Sequence, residues 1–510
     1  MNPEVNQVEK KGIIVRVLDS IERIGNKLPH PAVLFAVFAM SIMIVSWAVS
    51  VFDVTTVHPG TGEELPIRNM FSKEGIQFIF TSMLSNFTEF QPLGLVLAMM
   101  LGIGVADKVG LIETFIKKTI INAPKSVITY AIVFAGVLGN LAADAAFVII
   151  PPLAATVFYT LGRHPFAGLA AGFAGVGAGF SANLVISGND ALLSGIANEV
   201  VKTVSDTATV TPVDNWFFNA ASVALVVLVG GLVTEKIIEP RLGTYKGNKA
   251  SVMSKVSNLE VKGLRNAGIV GFLYIGMIAM MTVPKSGLLR SDEGTIIPSP
   301  FLDGIVPITL IFFLLIGMAY GFTVGNLKSI SDVPNLMAES MKDMAGFIVL
   351  IFAASQFIAY FNWTNIGTWI AVSGAEILTG IGLTGLPVII GFIFLTAVLN
   401  LFIFSGSAQW ALMAPIFIPM LMLLDYHPAY VQMAYRIADS STNVITPLNP
   451  YFPIILALMK DYDKRSGIGS LISLMLPYSV VILVAWTLFF LIWNLFGLPI
   501  GPGIEMFINK

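Results

Sequence analysis

The sequence predicts an all-α polytopic membrane protein, built on inverted repeats with two re-entrant hairpins and two broken helices. Three observations predict it. AVILMFWYC residues are 55% of the 510 positions and charged residues only 12%, about half the charge of an ordinary globular domain. Uncharged runs recur at the ~20-residue length that crosses a bilayer. A polar segment in the first half returns, in order, in the second.

The same composition excludes much. Net charge is −2 with pI near 6.1 and mean hydropathy +0.82, so no basic field points to nucleic acid. There are no cysteines, which removes disulfides, thiolate metal sites and Cys nucleophiles. Four dispersed histidines make no metal cluster. No Walker A motif and no Ser/His/Asp grouping appear. The expectation is a non-enzyme without cofactor, and the polar first 30 residues do not read as a signal peptide.

In chain order, residues 1–30 form a basic leader holding Lys10, Lys11, Arg16, Arg23 and Lys27. Ile14, Val17, Leu18, Ile21 and Ile24 recur there at helical spacing, so it is either an amphipathic helix on the inner face or a solvated leader. Residues 31–75 hold a first transmembrane helix (the run 31–52) and an outer loop. A first repeat spans 76–235, with runs at 90–106 and 215–234 flanking a stretch, 126–198, whose charges are Asp144, Arg163 and Asp190. Residues 236–265 are a linker with seven Lys or Arg, and 266–343 hold scaffold helices in the runs 266–284 and 304–327. A second repeat spans 344–510, with runs at 344–362 and 466–498 and an uncharged stretch at 377–424. Gly, Pro and Asn in the two long stretches mark interrupted helices. The basic leader and linker are expected on the cytoplasmic side.

The repeat rests on SANLVISGND at 181–190 and STNVITPLNP at 441–450. Ser181 aligns with Ser441, Asn183 with Asn443 and Asn189 with Asn449. Upstream, His164-Pro165 aligns with His427-Pro428 and Pro152 with Pro415. The first repeat follows an outer loop and the second an inner one, so they run in opposite directions. Inverted repeats with interrupted helices are the signature of secondary transporters, whose site lies at the repeat interface.

Each half then supplies a hairpin with a polar tip (about 139–162 and 400–425) and a broken helix (about 166–200 and 429–460). Backbone freed at a break is tolerated in a membrane only where it lines a cavity or binds something. Asn183, Ser441 and Asn443 add neutral oxygens there, suited to a hard cation or to water. Ionisable residues inside apolar stretches cost ~2.5–3.5 kcal/mol on insertion scales and default to functional candidates. Arg436 either receives a substrate carboxylate or pairs with Asp439, three residues along the same helix. Asp190 either carries a proton or caps the helix starting at Ala191. Asp144 is a candidate or the cap of its hairpin's returning limb. Trp410, beside the second hairpin tip, either stacks on an aromatic substrate or anchors at the interface.

Four segments resemble the AbgT family of p-aminobenzoyl-glutamate transporters: GNLAADAAFVIIPPLAA at 139–155, FSANLVISGNDALLSG at 180–195, FSGSAQWALMAPIFIPML at 404–421 and YRIADSSTNVITPLNPYFP at 435–453. The resemblance covers nearly the whole chain. It implies a homodimer with about nine transmembrane helices per subunit; the absent signal peptide and the placement of Lys and Arg fit a bacterial inner membrane. It also implies transport of p-aminobenzoyl-glutamate, with proton-driven sulfonamide export in some members. Site residues implied by the family motifs are Asp190, Ser407, Trp410, Pro428 and Arg436. Alternatives left open are a sodium-coupled importer of the same compound or of dicarboxylates, a short fatty acid carrier, and a channel or membrane hydrolase.

Overall fold

The computed structural model describes residues 29–57, 62–142, 144–205, 208–245 and 256–508; the leader expected at 1–30 therefore falls almost wholly outside the described residues. The described residues are helical almost throughout, with one antiparallel strand pair among them, β1 (Thr55–Val57) and β2 (Glu64–Pro66), in the loop after the first helix. Among the described residues, seven helices are long and apolar enough to cross a membrane and five shorter ones are apolar. The protein is a multi-pass membrane protein.

The helices are α1 (Pro31–Ser50), α2 (Lys73–Thr88), α3 (Gln91–Lys108), α4 (Leu111–Ile121), α5 (Ile128–Gly139), α6 (Asp144–Thr160), α7 (Pro165–Ala178), α8 (Gly188–Val201) and α9 (Trp216–Val233). α9 runs on through a π turn at Thr234–Ile238. Then come α10 (Asn258–Thr282), α11 (Ile305–Val324), α12 (Val333–Asp343), α13 (Ala345–Trp363), α14 (Ile366–Gly380), α15 (Leu386–Asn400), α16 (Gly406–Met422), α17 (Pro428–Thr442), α18 (Phe452–Tyr462) and α19 (Ile468–Leu495). α3 to α9 and α13 to α19 thus follow the same order: a long helix, two shorter ones, the return limb of a hairpin, two halves of a broken helix, and a long closing helix. The hairpins are α5–α6 and α15–α16. Both begin further upstream than 139–162 and 400–425, at Ile128 and Leu386, because their first limbs are uncharged and mostly apolar and merge with the apolar stretches around them.

Helix starts follow local chemistry. His30, His164 and His427 each precede a proline at the first helical position, and each accepts on Nδ1 the backbone N–H two residues on, at 3.3, 3.2 and 3.2 Å. Proline loses no helical bond there, and the ring nitrogen satisfies one of the orphan donors. The repeated His-Pro pairs are therefore helix caps. Pro428 sits in this position, at the start of α17. Burial holds His164 below the usual histidine range, against a smaller opposing pull from Glu239. The ring stays neutral and able to accept.

Small residues set how closely the elements pack. Every residue of α7 is buried. A Cβ on Gly136 would fall 2.7 Å from the Gly175 carbonyl carbon, and one on Gly172 3.1 Å from Pro151 Cα. The first hairpin and the first half of the broken helix thus touch backbone to backbone and form one rigid piece. α3 meets α11 in the same way: Gly317 lies against the Ala106 backbone, and a Cβ on Gly102 would overlap the Leu310 carbonyl. We expect Gly102→Ala to lower the melting temperature in detergent, with a loss of at least ~1–3 kcal/mol, since the clash is with backbone that cannot rotate away. An unchanged melt would show that α3 and α11 can separate freely.

Candidate transport site

The two breaks meet each other. Ser181 in the first donates its backbone N–H to Ser440 Oγ in the second, at 3.1 Å. A Cβ on Gly177 would stand 2.5 Å from Val444 Cγ1. Into this junction α17 sends Arg436, and α8 presents Asp190 in its first turn. Their ion pair, Arg436 Nη2 to Asp190 Oδ1 at 2.6 Å, is buried on both sides, at 0% and 3% exposure.

This corrects the pairing of Arg436 with Asp439. The guanidinium reaches across to the other repeat, while the Asp439 carboxylate lies against Gly406 at the start of α16, both oxygens 3.1 Å from where a Cβ there would be. Asp190 is likewise better partnered than its sequence neighbourhood suggests. Its Oδ2 accepts Ser187 N–H and Ser187 O–H, each at 2.7 Å, which closes a capping box at the start of α8. The helix thus begins at Gly188, ahead of the expected Ala191. Asn183 Nδ2 adds a longer contact at 3.4 Å to the same oxygen. Asn219 of α9 completes the group: its amide donates to Asp190 Oδ1 at 3.3 Å, and turned over it donates to the Ser181 carbonyl at 3.1 Å and accepts from Arg436 Nη2 at 3.3 Å.

A second cluster lies beside the first on α17. Asn400, the last residue of α15, donates to the Asp439 carbonyl and to Thr442 Oγ1, each at 2.8 Å, and to Asn443 Oδ1 at 3.1 Å. Asn443 also takes Asn449 Nδ2 on its carbonyl at 2.9 Å. Ser441 is turned back into its own helix, bonding the Ile437 carbonyl at 2.6 Å. Asp439 Oδ1, Asn400 Oδ1, Ser181 Oγ and Arg436 Nε are buried without a hydrogen-bond partner. Buried polar atoms are nearly always paired, so four orphans within two adjacent clusters mark a place built for further polar atoms. Asp439 Oδ1 and Asn400 Oδ1 are the oxygen acceptors among these four orphans.

Trp410 is fully buried. Its Nε1–H donates to the Leu193 carbonyl of α8 at 3.0 Å, and its ring lies 4.6 Å from that of Tyr435, tilted by 37°. Tyr435 in turn bonds the Gly406 carbonyl at 2.5 Å. The indole thus joins the second hairpin to the first repeat's broken helix and to α17, with no face open in this conformation. Ser407, half-buried at the hairpin tip, lies 3.2 Å from Ser405 Oγ. The side chain of Asp144, the residue that starts α6, lies outside the described residues.

Sequence reasoning missed Asn219, Ser440, Ser187, Asn400 and Tyr435. Asn219 and Asn400 carried a signal: each is an amide in an otherwise apolar helix, as costly to bury unpaired as it is useful when paired.

The AbgT transporter family model matches residues 16–508. The p-aminobenzoyl-glutamate transport protein of Escherichia coli (strain K12) is 44% identical over 485 residues, 95% of this chain and 96% of that protein. Among solved structures, the YdaH transporter of Alcanivorax borkumensis superposes with a TM-score of 0.89 at 38% identity, over 93% of this chain and 100% of the other. MtrF of Neisseria gonorrhoeae, described as illuminating a class of antimetabolite efflux pumps, gives 0.89 at 43% identity, over 96% and 100%.

Proposed function

The chain belongs to the AbgT transporter family, and from that premise we propose that it is a secondary active transporter of p-aminobenzoyl-glutamate and related aromatic folate-pathway compounds. In this reading it is coupled to protons, able to export sulfonamides, and works as a homodimer in a bacterial inner membrane with its N-terminus cytoplasmic. The observation that carries the reading is the buried Arg436–Asp190 pair spanning the two breaks, with Arg436 Nε unpartnered.

The chemistry follows from charge balance. Guanidinium is the natural fork for a carboxylate, and the glutamyl end of the substrate offers two. A substrate carboxylate that takes Arg436 displaces Asp190. An ionised carboxylate left alone in a buried site costs several kcal/mol, so Asp190 takes a proton as the substrate arrives. Breaking the pair also loosens the two breaks from each other, which is the step that lets the repeats rearrange around the site. Trp410 holds the hairpin against this junction and meets the aromatic ring once the junction opens.

Binding of labelled p-aminobenzoyl-glutamate to the purified protein tests this. Affinity should rise as pH falls, by up to about tenfold per unit for one linked proton. A sulfonamide should displace the label, and succinate or butyrate should not. Equal displacement by succinate would make the protein a dicarboxylate carrier.

The orphaned oxygens of Asp439 and Asn400 favour a second reading, sodium coupling through the Asp439–Asn400–Asn443 cluster. Under it, sodium tightens substrate binding in the wild type and has no effect in Asp439→Asn. Sodium independence of the wild type removes that reading and leaves the proton.

A further inference from the structure

A cavity of about 1020 Å³ lies between α4, α10, α11 and the first repeat's hairpin tip and break. Its polarity is one-sided. Its polar lining is Lys118, Thr119 and Asn122 at the C-terminal end of α4 and Arg265 in the N-terminal half of α10, and no acidic residue lines it. The acids nearest in sequence are engaged elsewhere: Glu113 pairs with Lys117, and Glu260 closes the capping box of α10 with Ser257. The remaining wall is apolar, ending on Leu141 of the hairpin and Leu184 and Val185 of the break. Phe115, Phe272 and Ile275 line it at 45, 77 and 57% exposure, so the cavity opens sideways, where the membrane lies.

We propose that this groove binds an anionic phospholipid, its headgroup on Lys118 and Arg265 and an acyl chain along α10 to the first break. The dimensions fit that occupant. From Leu264 to Ile275 along α10 is about 16 Å at ~1.5 Å per residue, close to half of the ~30 Å hydrocarbon core. A second apolar cavity of about 410 Å³ continues the groove, sharing Val185, Ile275 and Phe312. A soluble dianion would need polar partners around it, whereas here the polar lining is limited to Lys118, Thr119, Asn122 and Arg265. Arg265 closes the basic linker expected on the cytoplasmic side, where anionic lipid and clustered Lys/Arg meet. The inference rests on the membrane reading and its sidedness; the identity of the transported solute does not enter it. A tail touching Leu141 and Leu184 abuts the hairpin tip and the break together, so lipid composition acts on the parts that must move.

Native mass spectrometry of the full chain, offered equal phosphatidylglycerol and phosphatidylcholine, tests the site. The wild type should retain phosphatidylglycerol preferentially. Lys118→Gln/Arg265→Gln should lower that retention roughly thirtyfold, from ~1 kcal/mol per cation near the surface, and leave phosphatidylcholine unchanged. Gly268→Phe should lower both lipids: Gly268 lines the groove, and a Cβ there meets nothing within 4 Å. Equal retention of the two lipids by the wild type would overturn the proposal, as would undiminished phosphatidylglycerol in the double variant. So would displacement of the lipid by excess p-aminobenzoyl-glutamate, which would make the groove a solute site.

Discussion

Arg436→Met is expected to abolish transport and to destabilise the protein by about 3–5 kcal/mol, the usual cost of leaving one buried charge without its partner. The partner left behind is Asp190, 3% exposed and held by Ser187, so it cannot turn to water. Stability and transport should then separate in the double variant. Asp190→Asn/Arg436→Met removes both charges and should recover most of the melting temperature, since well-packed neutral replacements of buried pairs are often neutral or stabilising. It should remain inactive, because the proposed mechanism needs Arg436 to receive a carboxylate and Asp190 to take a proton. A double variant that transports would reduce the pair to a structural bridge. Arg436→Lys should rescue stability in part and transport poorly, since a single ammonium cannot serve Asp190 and Asn219 in the guanidinium's fixed geometry.

Trp410→Ala is expected to cost about 3–5 kcal/mol, as for other large aromatic truncations in a core. It removes the ring from Tyr435 and the donor from the Leu193 carbonyl. Trp410→Phe separates the two contributions: it keeps most of the packing and loses the hydrogen bond, a penalty nearer ~1–3 kcal/mol for the carbonyl left unpaired. Among variants that still fold, affinity for aromatic substrates should fall more than affinity for simple dicarboxylates. Equal losses would confine Trp410 to joining the hairpin, α8 and α17.

Much of the architecture was legible because a membrane reads sequence harshly. Long apolar runs announce spans, and polar residues inside them are costly enough to stand out; Asp190, Arg436 and Asp439 were visible for that reason. The breaks at 181–190 and 441–450 were visible because Asn, Gly and Pro interrupt otherwise helical stretches. What stayed hidden is what depends on partners distant in sequence. Arg436 has Asp439 one turn away and Asp190 far off in the chain, and local spacing favours the wrong choice. Only packing the two breaks together, Ser181 against Ser440 and Gly177 against Val444, turns the guanidinium to the other repeat. The His-Pro pairs were legible as a repeat and not as caps, since a cap is a property of backbone direction. Trp410 appeared to be a tip residue because the hairpin's polar turn lies beside it, yet α8 covers it.

Proton coupling through Asp190 is tested by gradient-driven movement of labelled p-aminobenzoyl-glutamate in liposomes holding the purified protein, with proton and sodium gradients imposed separately. Movement should follow the proton gradient, reveal its direction, and vanish in Asp190→Asn. Movement that ignores the proton gradient, or persists unchanged in Asp190→Asn, would contradict it.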